Sequence, residues 1–248
     1  MKVRIDKLLV DRGLVASRER AQAMILAGRV LVDGQKIEKA GEGVDQQAEL
    51  RLLGEDLKYV GRAGLKLEAA LDHWMIDPSG RTCLDIGAST GGFTDCLLQR
   101  GAVHVIAVDT GYGQIAAKLR NDPRVHLLEK TNARYLKPEN LGDAAVRLIA
   151  IDVSFISVTL ILPAVLAAAF AKREQEKRDL VILIKPQFEV GRELVGKGGI
   201  VRDPEHQQNT VTKVAAAVKA LGGRNVEVIN SPILGMEGNR EFLLHAEF

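Results

Sequence analysis

The sequence predicts an α/β protein in which a small α+β module precedes a mostly parallel sheet of seven strands. From about residue 80 onward, short runs of Val, Ile and Leu alternate with segments long enough for helices. Near-continuous apolar strands separated by helices are typical of a parallel sheet that is covered on both faces. The first forty residues instead carry the pattern of two short helices and a hairpin. At 248 residues the chain is long enough for two domains, and we place them at 1–58 and 59–248.

Seven apolar runs define the predicted sheet. Each run is rich in Val, Ile or Leu, and a helix-length or turn segment separates it from the next. The runs lie at 82–86, 103–108, 125–128, 148–151, 180–184, 226–229 and 242–244. Ligands of such sheets bind beyond the carboxyl ends of the strands. Polar residues that directly follow these runs are therefore candidates for function.

The N-terminal module is predicted from helix and turn signals. Apolar residues recur at helical spacing within 4–13, and Ser17 offers an N-cap for a second helix that Gly28 closes. The dipeptide Asp33-Gly34 then indicates a two-residue hairpin. Residues 1–40 contain nine basic and five acidic side chains, whereas the whole chain has a net charge of only +2. A local basic surplus is typical of phosphate binding, although an ordinary solvated helix face has the same composition.

The composition excludes several classes of protein. Two cysteines and five scattered histidines lack the spacing of a disulfide framework or a metal site, so we expect no metal. The N-terminus carries no apolar signal region. The longest apolar run, 158–171, contains Pro163 and falls short of the roughly 20 residues that cross a bilayer. We therefore expect a buried helix there, no membrane association and a cytoplasmic location.

A glycine-rich loop follows the first strand of the sheet. Glycines allow positive φ angles and close approach of backbone N–H groups to a ligand, and a helix N-terminus follows them. A dinucleotide loop has the spacing G-x-G-x-x-G, but here Ser89 occupies the second glycine position. This spacing favours S-adenosylmethionine, which has no pyrophosphate. Asp109 ends the next strand, about where an acid that binds ribose hydroxyls belongs. The alternative is a loop that merely connects a strand to a helix.

Two charged residues follow later strands of the sheet. Asp152 comes directly after the run 148–151, and Lys185 directly after 180–184. A lone lysine at the end of a buried strand is costly unless it is paired or functional. The two residues are therefore either part of a catalytic site or a structural ion pair at the rim of the sheet.

The N-terminal residues resemble the RNA-binding domain named after ribosomal protein S-four. The matching residues occur in the expected order, as Arg4-Ile5-Asp6, Arg12-Gly13-Leu14, Ser17-Arg18, Ala21, Gly28, Val30, Val32 and Gly34. The resemblance runs from about residue 3 to residue 50. It implies RNA binding through phosphate contacts from residues such as Arg4, Arg18 and Arg20.

Nearly the whole chain resembles the TlyA (haemolysin A) family of ribosomal RNA 2′-O-methyltransferases. The segments that carry this resemblance are 59–67, 85–94, 108–114, 152–157, 184–189 and 238–242. The family usually has Ser-Arg where this chain has Gly61-Arg62, a departure near the domain joint. The resemblance implies a Rossmann-like class I methyltransferase domain of the FtsJ type.

The resemblance also implies the site residues. The FtsJ-type catalytic tetrad Lys, Asp, Lys, Glu falls on Lys66, Asp152, Lys185 and Glu241. S-adenosylmethionine would be bound by the glycine-rich loop and the ends of the next two strands, that is by Asp85, Gly87, Ala88, Ser89, Gly91, Gly92, Phe93, Thr94, Asp109 and Asn132. The expected substrate is the ribose of a cytidine in ribosomal RNA, either free or within a ribosomal subunit. The reaction requires no metal.

Three other functions remain as alternatives. The family name haemolysin suggests a membrane-active protein, a class that the lack of a spanning segment and of a signal region disfavours. A pseudouridine synthase can carry the same N-terminal module, and Gly80-Arg81-Thr82-Cys83-Leu84-Asp85 partly imitates its Gly-Arg-Leu-Asp motif. Two extra residues interrupt that motif here. An RNA-binding protein without catalysis is the third alternative, which the four charged residues at the predicted active positions disfavour.

Overall fold

A computed structural model describes residues 2–15, 17–26, 28–53, 58–170, 177–235 and 238–248. The chain divides into two compact units, Met1–Asp56 and Leu57–Phe248. Each unit has its own buried apolar core. The two units are described separately below.

The N-terminal unit contains two helices and two small sheets. Its elements are β1 (Lys2–Arg4), α1 (Ile5–Asp11), α2 (Arg18–Leu26), β2 (Val30–Val32), β3 (Gln35–Lys36), β4 (Gly43–Asp45) and β5 (Leu50–Leu52). Strand β1 pairs with β4, and β2 lies between β3 and β5, all antiparallel. The two predicted helices are confirmed, and Ser17 Oγ accepts a hydrogen bond from the backbone N–H of Arg20, at 3.2 Å.

The predicted hairpin of this unit is also confirmed. Asp33 and Gly34 have φ angles of 50° and 78°, the positive pair that a two-residue type I′ loop requires. Strands β1, β4 and β5 were not predicted, because strands of three residues show too little alternation to stand out from a loop. Ile5, Leu9 and Met24 form the buried centre that both helices share.

The C-terminal unit is built on the predicted seven-stranded sheet. Its strands are β6 (Thr82–Ile86), β7 (His104–Val108), β8 (Val125–Leu128), β9 (Val146–Ile151), β10 (Asp179–Ile184), β11 (Arg224–Asn230) and β12 (Phe242–Glu247). Their spatial order is β11-β12-β10-β9-β6-β7-β8. Strand β12 is antiparallel to both of its neighbours, and the pairs from β10 to β8 are parallel. The mostly parallel α/β fold is therefore confirmed.

Helices cover both faces of this sheet. They are α3 (Ala63–His73), α4 (Gly92–Gln99), α5 (Ala117–Arg120), α6 (Pro138–Leu141), α7 (Leu162–Ala169), α8 (Pro186–Glu189) and α9 (Pro204–Ala220). Consecutive strand residues point to opposite faces. Leu148 accordingly packs in the cluster with α3 and α4, and Ile149 packs in the cluster with α7 and α9. Burial on both faces explains why these strands are apolar without alternation.

The long apolar run forms a buried helix, as predicted. A 3-10 turn at Val158–Leu160 leads into α7, where Pro163 occupies the first turn and interrupts no hydrogen bond. Leu162 and Val165 are fully buried. Ala171, the last residue of the apolar run, lies outside the described residues. Across the described ranges, no helix is both long enough and apolar enough to cross a membrane.

Candidate active site

The glycine-rich loop after β6 requires its glycines for steric reasons. Gly87 has a φ angle of +87°, and a Cβ there would collide with the carbonyl oxygen of Asp152. Gly91, with φ of +97°, precedes the first turn of α4, and a Cβ there would collide with Leu119. The loop therefore approaches the end of β9 more closely than any other residue would allow at position 87.

Asp109 connects this loop to the turn after β7. Its Oδ2 accepts from the backbone N–H of Ser89 at 2.7 Å, and its Oδ1 accepts from that of Gly111 at 2.6 Å. A carboxylate oxygen has two lone pairs, so each oxygen retains one for a further donor. Asp109 can thus hold two loops in place and still accept hydrogen bonds from a ligand's hydroxyl groups.

A cavity of about 510 Å³ opens beside Asp109. Gly87, Ser89, Asp109 and Asn132 contribute to its wall together with apolar side chains of Ile86, Val108, Ala133, Ile156 and Ile161. Its volume and its mixture of apolar walls with a few polar groups are typical of a nucleoside-sized ligand. We call it the cofactor cavity.

Three of the residues predicted to bind the cofactor, Asp85, Gly91 and Thr94, line neither the cofactor cavity nor the second cavity described below. Asp85 is fully buried, and its Oδ2 accepts from Thr94 Oγ1 at 2.6 Å. Asp85 Oδ1 has no hydrogen-bond partner among the described residues. Burial raises the pKa of Asp85 to about 7. Because Gly91 packs against α5 and the Asp85–Thr94 pair lies beneath the loop, these residues are placed to support the loop.

A second cavity of about 280 Å³, which we call the catalytic cavity, contains the predicted tetrad. Lys66 comes from α3, Asp152 and Lys185 from the ends of β9 and β10, and Glu241 from the residue before β12. Ala88, Gly92 and Phe93, also predicted for the cofactor, line this cavity. It shares Gly87, Ser89, Asp152 and Ser154 with the cofactor cavity. The two cavities therefore meet at Asp152, one member of the tetrad, and at the glycine-rich loop.

The tetrad forms two ion pairs. Lys66 Nζ donates a hydrogen bond to Glu241 Oε2, and both side chains are buried. Lys185 Nζ lies 2.6 Å from Asp152 Oδ1 and donates a hydrogen bond to Ser154 Oγ at 2.9 Å. The Asp152 contact is a charge pair without the alignment of a hydrogen bond, since Oδ1 has no hydrogen-bond partner in the described part of the chain. Two lysines and two carboxylates leave the cluster neutral, as buried charges require.

Glu189 is a functional candidate that sequence reasoning missed. Its carboxylate is buried and accepts from Ser157 Oγ at 2.5 Å and from the backbone N–H of Val158 at 2.7 Å. Burial raises its pKa. Glu189 therefore ties the loop after Asp152 to the helix that directly follows Lys185. The sequence gives no signal for this contact beyond an acid four residues after Lys185.

Phe155 is a second candidate that was not singled out. Its side chain is 91% exposed, it lines the cofactor cavity, and its φ angle is +65°. A positive φ is uncommon for a bulky residue and marks local strain. Its ring lies 5.2 Å from that of Phe188. An exposed aromatic ring beside the cavities is suited to contact a flat ligand.

The predicted RNA contacts lie in the N-terminal unit. The guanidinium groups of Arg4 and Arg18 are half exposed and both reach Asp6. Arg20 lies in the first turn of α2 and is partly buried. Among the described residues, no group of three or more His, Cys, Asp or Glu side chains could hold a metal ion.

Comparison with known proteins decides the family. Residues 59–248 match the FtsJ-like methyltransferase family, and residues 3–50 match the S4 domain. The chain belongs to the FtsJ-like methyltransferases. Among these it is a member of the TlyA family, because it is 46% identical to the 16S/23S rRNA (cytidine-2′-O)-methyltransferase TlyA of Mycobacterium tuberculosis. That match covers 98% of this chain and 89% of the relative.

Two further relatives carry the name hemolysin. Hemolysin A of Brachyspira hyodysenteriae is 41% identical over 98% of this chain and 99% of its own length. A solved structure of a protein assigned as a hemolysin from Streptococcus thermophilus is 44% identical. It superposes with a TM-score of 0.74 over 99% of this chain and 88% of that chain. This FtsJ-like methyltransferase is thus similar along its whole length to proteins with both names.

Proposed function

We propose that this protein transfers a methyl group from S-adenosylmethionine to the ribose 2′-hydroxyl of a cytidine in ribosomal RNA. The observation that carries the proposal is the junction of the two cavities. A nucleoside-sized cavity meets a smaller one that contains two lysines and two carboxylates. The name of the Mycobacterium tuberculosis relative supplies the nucleotide, the reaction and the class of RNA.

The residues of the cofactor cavity fit S-adenosylmethionine. The free lone pairs of Asp109 suit the two ribose hydroxyls, and Asn132 lies on the wall where we place the adenine. The loop at Gly87 and Ser89 reaches both cavities, so we place the amino-acid portion and the sulfonium along it. When bound, the cofactor supplies an electrophilic methyl group.

The tetrad would act on the acceptor hydroxyl. A ribose 2′-hydroxyl is a very weak acid, so its attack needs a group that orients its oxygen lone pair or accepts its proton. We assign this role to Lys185, which Asp152 and Ser154 hold in place. As an ammonium ion it would orient the hydroxyl oxygen by donating a hydrogen bond to it, and as a neutral amine, after loss of a proton to solvent, it would accept the hydroxyl proton. We place Lys66 and its partner Glu241 beside the acceptor hydroxyl as well, because both line the same cavity as Lys185. The two carboxylates keep both lysine side chains oriented and the cluster neutral.

The N-terminal unit would hold the RNA. We propose the division at residues 1–58 and 59–248, with Arg4, Arg18 and Arg20 contacting phosphates of ribosomal RNA or a ribosomal subunit. Phosphate contacts make affinity steeply dependent on salt concentration. Because ribosomal RNA is the proposed substrate, we also propose a cytoplasmic location.

The test is methylation of defined RNA. Purified protein is incubated with bacterial 30S or 50S subunits and labelled S-adenosylmethionine, and the RNA is digested and analysed by nucleoside mass spectrometry. We expect 2′-O-methylcytidine from at least one subunit. Label on a base, or none on any subunit while the cofactor binds, would contradict the proposal. Leakage of liposomes in a parallel assay would support the membrane-active alternative instead.

A further inference from the structure

A buried carboxylate lies under the proposed RNA contacts of the N-terminal unit. Asp6 has no solvent-exposed surface. It accepts hydrogen bonds from Arg4 Nε at 3.1 Å and Nη2 at 2.8 Å, from Arg18 Nη2 at 3.0 Å, from Gln22 Nε2 at 3.0 Å and from the backbone N–H of Lys7 at 2.9 Å. Asp6 therefore joins the end of β1, the start of α1 and two turns of α2.

Asp6 is charged in the folded protein. The hydrogen bond from Arg4 holds the pKa of its carboxyl group well below its usual range. A buried carboxylate is strongly destabilising unless donors surround it, and here donors from three side chains do so. The ionised group thus fixes the positions of the side chains that reach it.

The two arginines keep exposed surface and further N–H donors although both contact Asp6. Their side chains are 54% and 51% exposed although both reach a fully buried oxygen. A guanidinium carries five N–H donors in a rigid planar fork, more than one shared carboxylate can accept from each. Arg4 and Arg18 Nη2 both lie within 3.0 Å of Asp6 Oδ2, so the two nitrogens are less than about 6 Å apart.

We propose that Asp6 is a positioning residue for RNA binding. It holds Arg4 and Arg18 side by side, so that their outward N–H groups bind one backbone phosphate of the RNA together. Paired guanidinium donors match the oxygens of a phosphate, which makes fixed spacing valuable. This inference rests on the proposed RNA-binding role of the unit and adds the residue that builds its phosphate site.

A positioning role and a purely electrostatic role of Asp6 predict opposite effects on RNA binding when Asp6 is changed. Removing the negative charge beneath a basic surface raises the net positive charge and should strengthen RNA binding. If Asp6 positions the arginines, its removal should weaken binding instead. Asp11 offers a matched control, because it is an exposed acid at the other end of the same helix. The variants Asp6→Asn and Asp11→Asn make the same change of charge.

The experiment measures binding of the full chain to bacterial 30S and 50S subunits over a series of salt concentrations. We expect Asp6→Asn to weaken binding by about tenfold, the cost of losing a charge-assisted contact. It should also lower the dependence on salt by about one phosphate contact. Asp11→Asn should bind as tightly as the wild type or more tightly. Equal or tighter binding by Asp6→Asn would overturn the inference.

Two further readouts keep the test decisive. If wild-type protein binds neither subunit, the proposed RNA-binding role fails, whatever Asp6 does. If Asp6→Asn lowers the thermal stability of the unit, the subunit affinities of Arg4→Ala, Arg18→Ala and the double variant decide whether the two arginines share one phosphate. We expect the double variant to bind little worse than either single variant, because both arginines serve one phosphate. Additive losses would mean independent contacts and would refute a joint site.

Discussion

The raised pKa of Asp85 has a measurable consequence for stability. The ordinary pKa of an aspartate carboxyl group is 3.8, and burial raises the pKa of Asp85 to about 7 in the folded chain. The folded state therefore binds a proton more tightly than the unfolded state does. The free energy of unfolding should fall as the pH rises from about 4 to about 7, and this contribution should be constant above pH 7. At 1.36 kcal/mol per pKa unit, the loss approaches about 4 kcal/mol.

The variant Asp85→Asn tests this reasoning. The amide keeps the shape and an acceptor for Thr94 Oγ1 but cannot ionise. Urea unfolding of ligand-free wild type and variant is measured between pH 4 and pH 8. We expect the variant to gain stability relative to the wild type across this range, by a few kcal/mol at pH 8. Two curves that stay parallel over the whole range would refute a raised pKa at Asp85.

Three further changes test the placement of the loops. Gly87→Ala forces a Cβ against the carbonyl of Asp152 and should lower stability by more than about 1 kcal/mol, measured by thermal unfolding. Asp109→Ala should weaken S-adenosylmethionine binding by about 1 to 3 kcal/mol in calorimetry, and a wild type that prefers NAD would contradict the cofactor assignment. Glu189→Ala leaves the N–H of Val158 without its acceptor, so hydrogen exchange at 153–158 should speed up.

The architecture of the large unit follows from patterns that the sequence displays directly. The seven apolar runs became the seven strands, with ends shifted by up to three residues. Asp152 and Lys185 were predictable as neighbours because the strands before them are parallel, and their carboxyl ends meet at one edge. The three-residue strands of the small unit were not predictable, since pairing rather than pattern defines them.

The complete tetrad could not be derived from the residues alone. Lys66 and Glu241 are 175 positions apart, and Lys66 lies on a helix that also carries Glu68 and Asp72, so nothing in the helix sequence distinguishes it. Only the resemblance to the FtsJ-type enzymes selected them. Glu189 and Asp6 show the same limit, because each acts through hydrogen bonds to distant segments that no local pattern reveals.

The central claim is that Lys185 acts on the 2′-hydroxyl and does not merely neutralise Asp152. Single-turnover methyl transfer and thermal unfolding are measured for Lys185→Ala beside Lys219→Ala, a control at an exposed lysine of α9. We expect Lys185→Ala to slow methyl transfer about a hundredfold or more, with little change in stability or cofactor affinity. The control should match the wild type. Full activity in Lys185→Ala would contradict the account. So would a fall of about 3 to 5 kcal/mol in the free energy of unfolding, if the loss of activity is no larger than the unfolded fraction explains.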